Sequence, residues 1–113
     1  MVRVDTSDGT LLFGSGQVAP DTAGRAAAPD DMTAQSHLVM RSSAAIRSAH
    51  GGSLADVVGI RTFVTDMDRF AEYGAVRRGY LVDPPPSSTT VEVPRLFALG
   101  ALPEVEAVAA VAT

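Results

Sequence analysis

The sequence predicts an α+β domain: one mixed β-sheet with both helices on one of its faces. Three observations carry this. Segments 32–50 and 67–80 place apolar residues at helical spacing behind good N-caps. The apolar run Val57–Val64 reads as a central strand. Late in the chain, Ser87–Val93 and Glu104–Ala109 alternate apolar and polar residues, the period of half-buried strands.

Met1 to Val4 suits a short edge strand, and Asp8-Gly9 a hairpin-type turn. Leu11-Leu12-Phe13 reads as a buried strand running into Gly14-Ser15-Gly16-Gln17-Val18. Two glycines around Ser15 mean close backbone approach, either at a bulge or at a ligand loop. Residues 19–29 form a loop with a turn at Pro20-Asp21. Asp30 or Asp31 caps the first helix, Met32, Gln35, Val39, Ile46 and Ala49 give its spacing, and Gly51-Gly52 ends it. His37 and His50, thirteen residues apart, are surface or helix-end histidines rather than a metal pair. Ser53 to Asp56 looks like a capped turn. In the central strand, Arg61 shares a face with Gly59 and Phe63, where a guanidinium needs an anionic ligand or a salt bridge at a subunit contact. Asp66 caps the second helix, with Phe70, Tyr73, Val76, Arg77 and Tyr80 at its spacing and Gly74 implying tight packing.

Pro84–Pro86 stop that helix before the alternating runs. In the first, Val91 and Val93 point one way and Ser88, Thr90 and Glu92 the other; in the second, Glu104 and Glu106 share a face. We expect the two runs to be neighbouring strands whose polar sides form a site wall facing water, a ligand or another subunit. Nothing in the remaining sequence can cover the sheet's second face, so further copies of the chain are expected there.

At 113 residues and nearly half apolar, the chain suits one domain spanning 1–113 with one core. A net charge of -4 with no basic run argues against nucleic-acid partners. There is no cysteine and no lysine, which excludes disulfides, thiolate chemistry and lysine Schiff bases. With two histidines and no cysteine, no structural zinc is expected. No membrane span or signal-peptide pattern is evident, so a cytoplasmic location is expected.

A set of segments in fixed order resembles the Rid (reactive intermediate deaminase, YjgF) family, over about residues 10–111. They are Ser15-Gly16-Gln17, Pro20-Asp21…Gly24, Gln35, Leu54–Val58, Phe63–Met67 with Phe70, Thr90–Leu96 and Glu104–Ala107. The resemblance implies a chorismate-mutase-like fold and a homotrimer with a barrel-like core. It also implies a small-molecule pocket in each cleft between subunits, and hydrolysis of reactive imines or enamines to keto acids and ammonia without metal or organic cofactor. By the same resemblance, Glu104 matches the acid that positions the attacking water, and Ser15 matches the loop serine. The arginine that grips the substrate carboxylate in the family falls on Ser88, its second-helix asparagine on Gly74, and a pocket tyrosine is expected to be missing at the N-terminus.

Three readings follow. In the first, the chain hydrolyses imines or enamines with altered substrate choice: Glu104 activates water, and Ser15, Ser88, Thr90 and Arg61 hold the substrate. In the second it binds a small ligand without turnover, and Glu104 is an interface carboxylate paired with Arg95 or Arg61. In the third it acts on RNA, which the acidic balance disfavours.

Overall fold

The computed structural model describes residues 1–18 and 24–112; the turn expected at Pro20-Asp21 lies outside them. Among the described residues, β1 (Val2–Asp5), β2 (Gly9–Gln17), α1 (Met32–Ala49), β3 (Val57–Val64), α2 (Phe70–Arg78), β4 (Ser87–Glu92) and β5 (Pro103–Ala112) follow one another. The strands form one sheet in the order β1-β2-β5-β3-β4. All pairings are antiparallel except β3 with β4.

The topology follows from the connections. A parallel neighbour needs a crossover, and α2 supplies it between β3 and β4. The connection after β4 then carries the chain to the far side of β3, where β5 pairs antiparallel with both β2 and β3. This corrects one expectation: β4 and β5 are not neighbours, because β3 lies between them.

α1 begins where Asp31 accepts a hydrogen bond from the Ala34 amide at 2.9 Å. It ends in a Schellman motif: Gly51 takes φ of +80°, and the amides of Gly51 and Gly52 donate to the carbonyls of Ser48 (3.2 Å) and Arg47 (2.8 Å). Its buried stripe runs Met32, Gln35, Ser36, Val39, Met40, Ser43 and Arg47. Ile46 is half-buried and Ala49 exposed, so the last two turns bury Ser43 and Arg47 in place of the apolar residues expected. Gln35 is fully buried because its amide fixes three backbone groups: it donates to the carbonyls of Ala28 and Gly100 and accepts from the Leu102 amide. The link holds the start of β5 against α1. The Ser53–Asp56 turn carries a capping box. Ahead of α2, residues Met67–Arg69 form a single turn of 3₁₀ helix capped by Asp66.

The helix-facing side of the sheet holds the main core: Leu12, Val57, Ile60, Val64, Val105, Ala107 and Ala109 against Met32, Val39 and Tyr73. The Tyr73 hydroxyl is paired with the Thr62 hydroxyl at 2.9 Å, satisfying two buried polar groups. Gly74 is buried, yet a methyl added there would meet nothing closer than 3.8 Å. The tight contact expected at Gly74 is absent.

Candidate functional site on the open face of the sheet

The register assigns each polar strand residue to a face. Gly59, Arg61 and Phe63 lie beside Val108, Glu106 and Glu104 on the side away from the helices. On β2, Leu11 and Phe13 share that side with Val4 and Val2 of β1. β4 adds Thr89 and Val91, in register with Arg61 and Phe63. Ser88, Thr90 and Glu92 are in register with Ile60, Thr62 and Val64, so they face the helix layer. The alternation read from the sequence is correct, but the polar side of β4 serves α2. The Met67 amide donates to Glu92 at 2.9 Å where the helical segment begins, and Arg77 Nη1 donates to the Ser88 hydroxyl at 3.0 Å near its end. An edge strand extends past the densest part of the helix layer, which is why it can carry polar groups there.

Of the predicted site residues, the structure therefore brings Glu104, Ser15 and Arg61 to one face, while Ser88 and Thr90 occupy the other within the same chain. The open face has a hollow of about 440 Å³ bordered by Phe13, Ser15, Arg61, Thr89 and Glu106. Arg61 Nε lies 2.6 Å from Glu106 Oε1. Arg61 is thus paired with Glu106 rather than Glu104, and its side chain is 68% exposed.

Glu104 is placed by a β-bulge. Pairing shifts between Gly14 and Gln17, so Ser15 and Gly16 together span what one residue of β5 spans. The bulge presses the Gly16 backbone onto the Glu104 side chain. A Cβ at residue 16 would sit 2.7 Å from the Glu104 carboxyl carbon, so glycine is needed for this carboxylate to lie where it does. Partial burial, and then the nearby Glu106 carboxylate, raise the Glu104 pKa above its ordinary value of 4.5. Among the described ion pairs and hydrogen bonds Glu104 has no partner. Arg95 is exposed and likewise unpaired among the described residues, bordering a separate groove with Phe97 and Leu99.

Two features escaped the sequence reading. Arg47 is 2% exposed, donating from Nη1 to the Ser43 carbonyl and from Nη2 to the Ala107 carbonyl, with Nε unpartnered. Burial lowers its pKa. Gly14 leaves the room, since a Cβ there would lie 2.7 Å from Arg47 Nη2. The second is the meeting of Arg77 with Ser88. The only hint in the sequence was that Arg77 falls on the Phe70–Tyr73 stripe of α2.

A five-stranded mixed sheet with two helices on one face is the chorismate-mutase-like class of α+β fold. The chain belongs to the Rid (YjgF) family: the family model described as Endoribonuclease L-PSP matches residues 3–111. The RutC family protein of Sulfurisphaera tokodaii is 35% identical over 88 residues, covering 78% of this chain and 70% of that one. RidA from the Antarctic bacterium Psychrobacter superimposes with a TM-score of 0.80 at 29% identity, covering 96% and 85% of the two chains. Escherichia coli TdcF, solved with bound serine, superimposes with a TM-score of 0.76 at 26% identity, covering 96% and 84%.

Proposed function

We propose that this chain is a homotrimeric hydrolase of small imines or enamines, with Glu104 as the group that moves protons. The carrying observation is the unpaired Glu104 carboxyl, held by the Gly16 bulge on the open face with its pKa raised. A carboxylate in that state accepts a proton from water as the oxygen attacks the imine carbon. The same group returns that proton to nitrogen to give the carbinolamine, then takes the hydroxyl proton and passes it to nitrogen as the C–N bond breaks, and ammonia leaves with a keto acid behind. An enamine enters by protonation at carbon. The reaction is intrinsically easy, so one placed base and a shielded cleft suffice.

The trimer is part of the proposal. Val2 (60% exposed), Val4 (43%), Phe13 (41%) and Val91 (42%) form an apolar surface on the face that carries Glu104. Two further copies packed on it would enclose the hollow. Serine bound to TdcF supports a small amino-acid-like ligand for a relative of this fold. RNA cleavage, which the description of the family model names, gains no support from a net charge of -4. Ser88 in place of the family's arginine argues for substrates other than 2-aminoacrylate.

The test generates imines from a panel of amino acids with an amino-acid oxidase and follows keto-acid release. At least one imine is expected to be hydrolysed faster than in buffer, and Glu104→Gln is expected to remove that acceleration. A panel with no acceleration, but saturable binding of a keto acid to the trimer, would replace the hydrolase by a ligand-binding protein.

A further inference from the structure

Two side chains of α1 reach the bulge that seats Glu104, one at each end. At the near end, Gly14 and Ala107 are the last paired positions before the register shifts. Arg47 Nη2 donates to the Ala107 carbonyl at 3.3 Å and lies in the space that a Gly14 side chain would take. At the far end, where pairing resumes at Gln17 and Val105, the Ser42 hydroxyl donates to Gln17 Oε1 at 3.3 Å. Gln17 Nε2 in turn donates to the Ser15 carbonyl, inside the bulge, at 3.4 Å. Arg47 is costly where it stands. It is buried, its Nε has no partner, and among the described residues no carboxylate pairs with it. An uncompensated buried cation destabilises a fold, and an apolar chain of similar volume would not. What the guanidinium adds is a fork: Nη1 is anchored on the Ser43 carbonyl of α1 at 2.9 Å, which leaves Nη2 to hold β5.

We infer that Arg47 and Ser42 are positioning residues for Glu104, bracing the Ser15–Gly16 bulge from the helix side so that the Gly16 backbone keeps the carboxyl in place. A bulge interrupts the ladder, and the residues within it lack the paired hydrogen bonds that fix register on either side. Donors from α1 supply that restraint from outside the sheet. Both residues act through others: Arg47 through Ala107, and Ser42 through Gln17 and Ser15. The inference rests on the reading of Glu104 as the proton-moving group, and it adds that this group is set from the opposite layer of the molecule.

The test titrates the isotope-labelled Glu104 carboxyl by magnetic resonance in the whole protein and follows imine hydrolysis by keto-acid release. Arg47→Met is expected to bring the Glu104 pKa down toward 4.5, because a slackened bulge admits water to the carboxyl. Loss of a positive charge alone would raise that pKa, so the sign separates positioning from electrostatics. In the same variant kcat is expected to fall roughly tenfold or more with KM within about twofold, since proton transfer and not binding is disturbed. Its urea midpoint is expected at or above that of the parent, which a merely structural arginine would not give. Arg47→Lys keeps the charge without the fork and is expected to recover activity in part. Ser42→Ala, at the half-buried end of the brace, is expected to move the Glu104 pKa and kcat in the same direction by less, and it serves as the test if Arg47→Met does not fold. If the parent hydrolyses no imine while the pKa falls in the variants, the hydrolase reading fails and the brace stands. Variants that keep the Glu104 pKa of the parent, or raise it, would overturn the brace whether or not the parent hydrolyses imines.

Discussion

Gly16 and Glu104 show how one missing side chain positions one functional group. The atoms that a Cβ at residue 16 would strike belong to the free end of a flexible side chain, not to backbone. Gly16→Ala is therefore expected to leave stability within about 1 kcal/mol of the parent, since no core contact changes, while displacing the Glu104 carboxyl. Imine hydrolysis should then fall nearly as far as in Glu104→Gln, with urea midpoints little altered. Full activity in Gly16→Ala would dissociate the bulge from the chemistry. The raised pKa of Glu104 has its own signature. Above 4.5 the unfolded chain loses this proton while the folded chain still holds it, so stability falls as pH rises through the folded pKa. Glutamine is neutral in both states. The urea midpoint of Glu104→Gln relative to the parent is expected to grow as pH rises from 4.5 through the folded pKa, and a constant difference would contradict the shift. The sequence showed that Glu104 and Glu106 share a face, because strand alternation is local. Which of them Arg61 would meet depends on the register of β3 against β5, which no local pattern specifies.

α2 illustrates what the sequence hides about an element. Its start, its stripe and its cap at Asp66 were legible, because capping and helical spacing act over a few residues. The meaning of Gly74 was not, since space around a residue is set by distant chain. With nothing within 3.8 Å of an added methyl, Gly74→Ala should raise stability by up to about 1 kcal/mol through helix propensity and a stiffer unfolded chain. Thermal unfolding measures this directly, and a lower midpoint would reveal a contact across a subunit boundary. β4 was misread for a related reason. Alternation gives two faces but not which one meets the helices, and the usual assumption of apolar inward fails on an edge strand. There Glu92 fastens the 3₁₀ turn ahead of α2, and Ser88 the last turn of α2. An arginine at residue 88 would lie beside Arg77, so Ser88→Arg, which installs the arginine that the resemblance implies there, would crowd two guanidinium groups and is not the simple gain its sequence position implies.

For the whole molecule, the mixed sheet with two helices on one face was legible from seven segments in order, and the bare face followed from counting what could cover it. The order of strands was not, because a crossover fixes parallel pairing without saying where the final strand enters. A trimer is expected in light scattering at micromolar concentration. Phe13→Asp, which plants a charge in the apolar surface, is expected to give monomers that keep their helical circular dichroism. A monomeric parent would remove both the enclosed hollow and the reading of Glu104 built on it.

β5 lies in the middle of the sheet, yet it is the last in sequence of the five strands among the described residues. Before β5 is made, β1 can pair only with β2 and β3 only with β4, which leaves each pair with a bare inner edge and nothing to join them. Neither half can close its core until residues 103–112 have emerged, so the nascent chain passes through a stage with two unsatisfied strand edges. Folding is thus a late event governed by long-range pairing, slow by the standards of a chain this short. A ribosome stalled just after Leu102 is expected to carry a protease-sensitive, chaperone-bound chain, and release of the following strand should convert it to a resistant one in a single step.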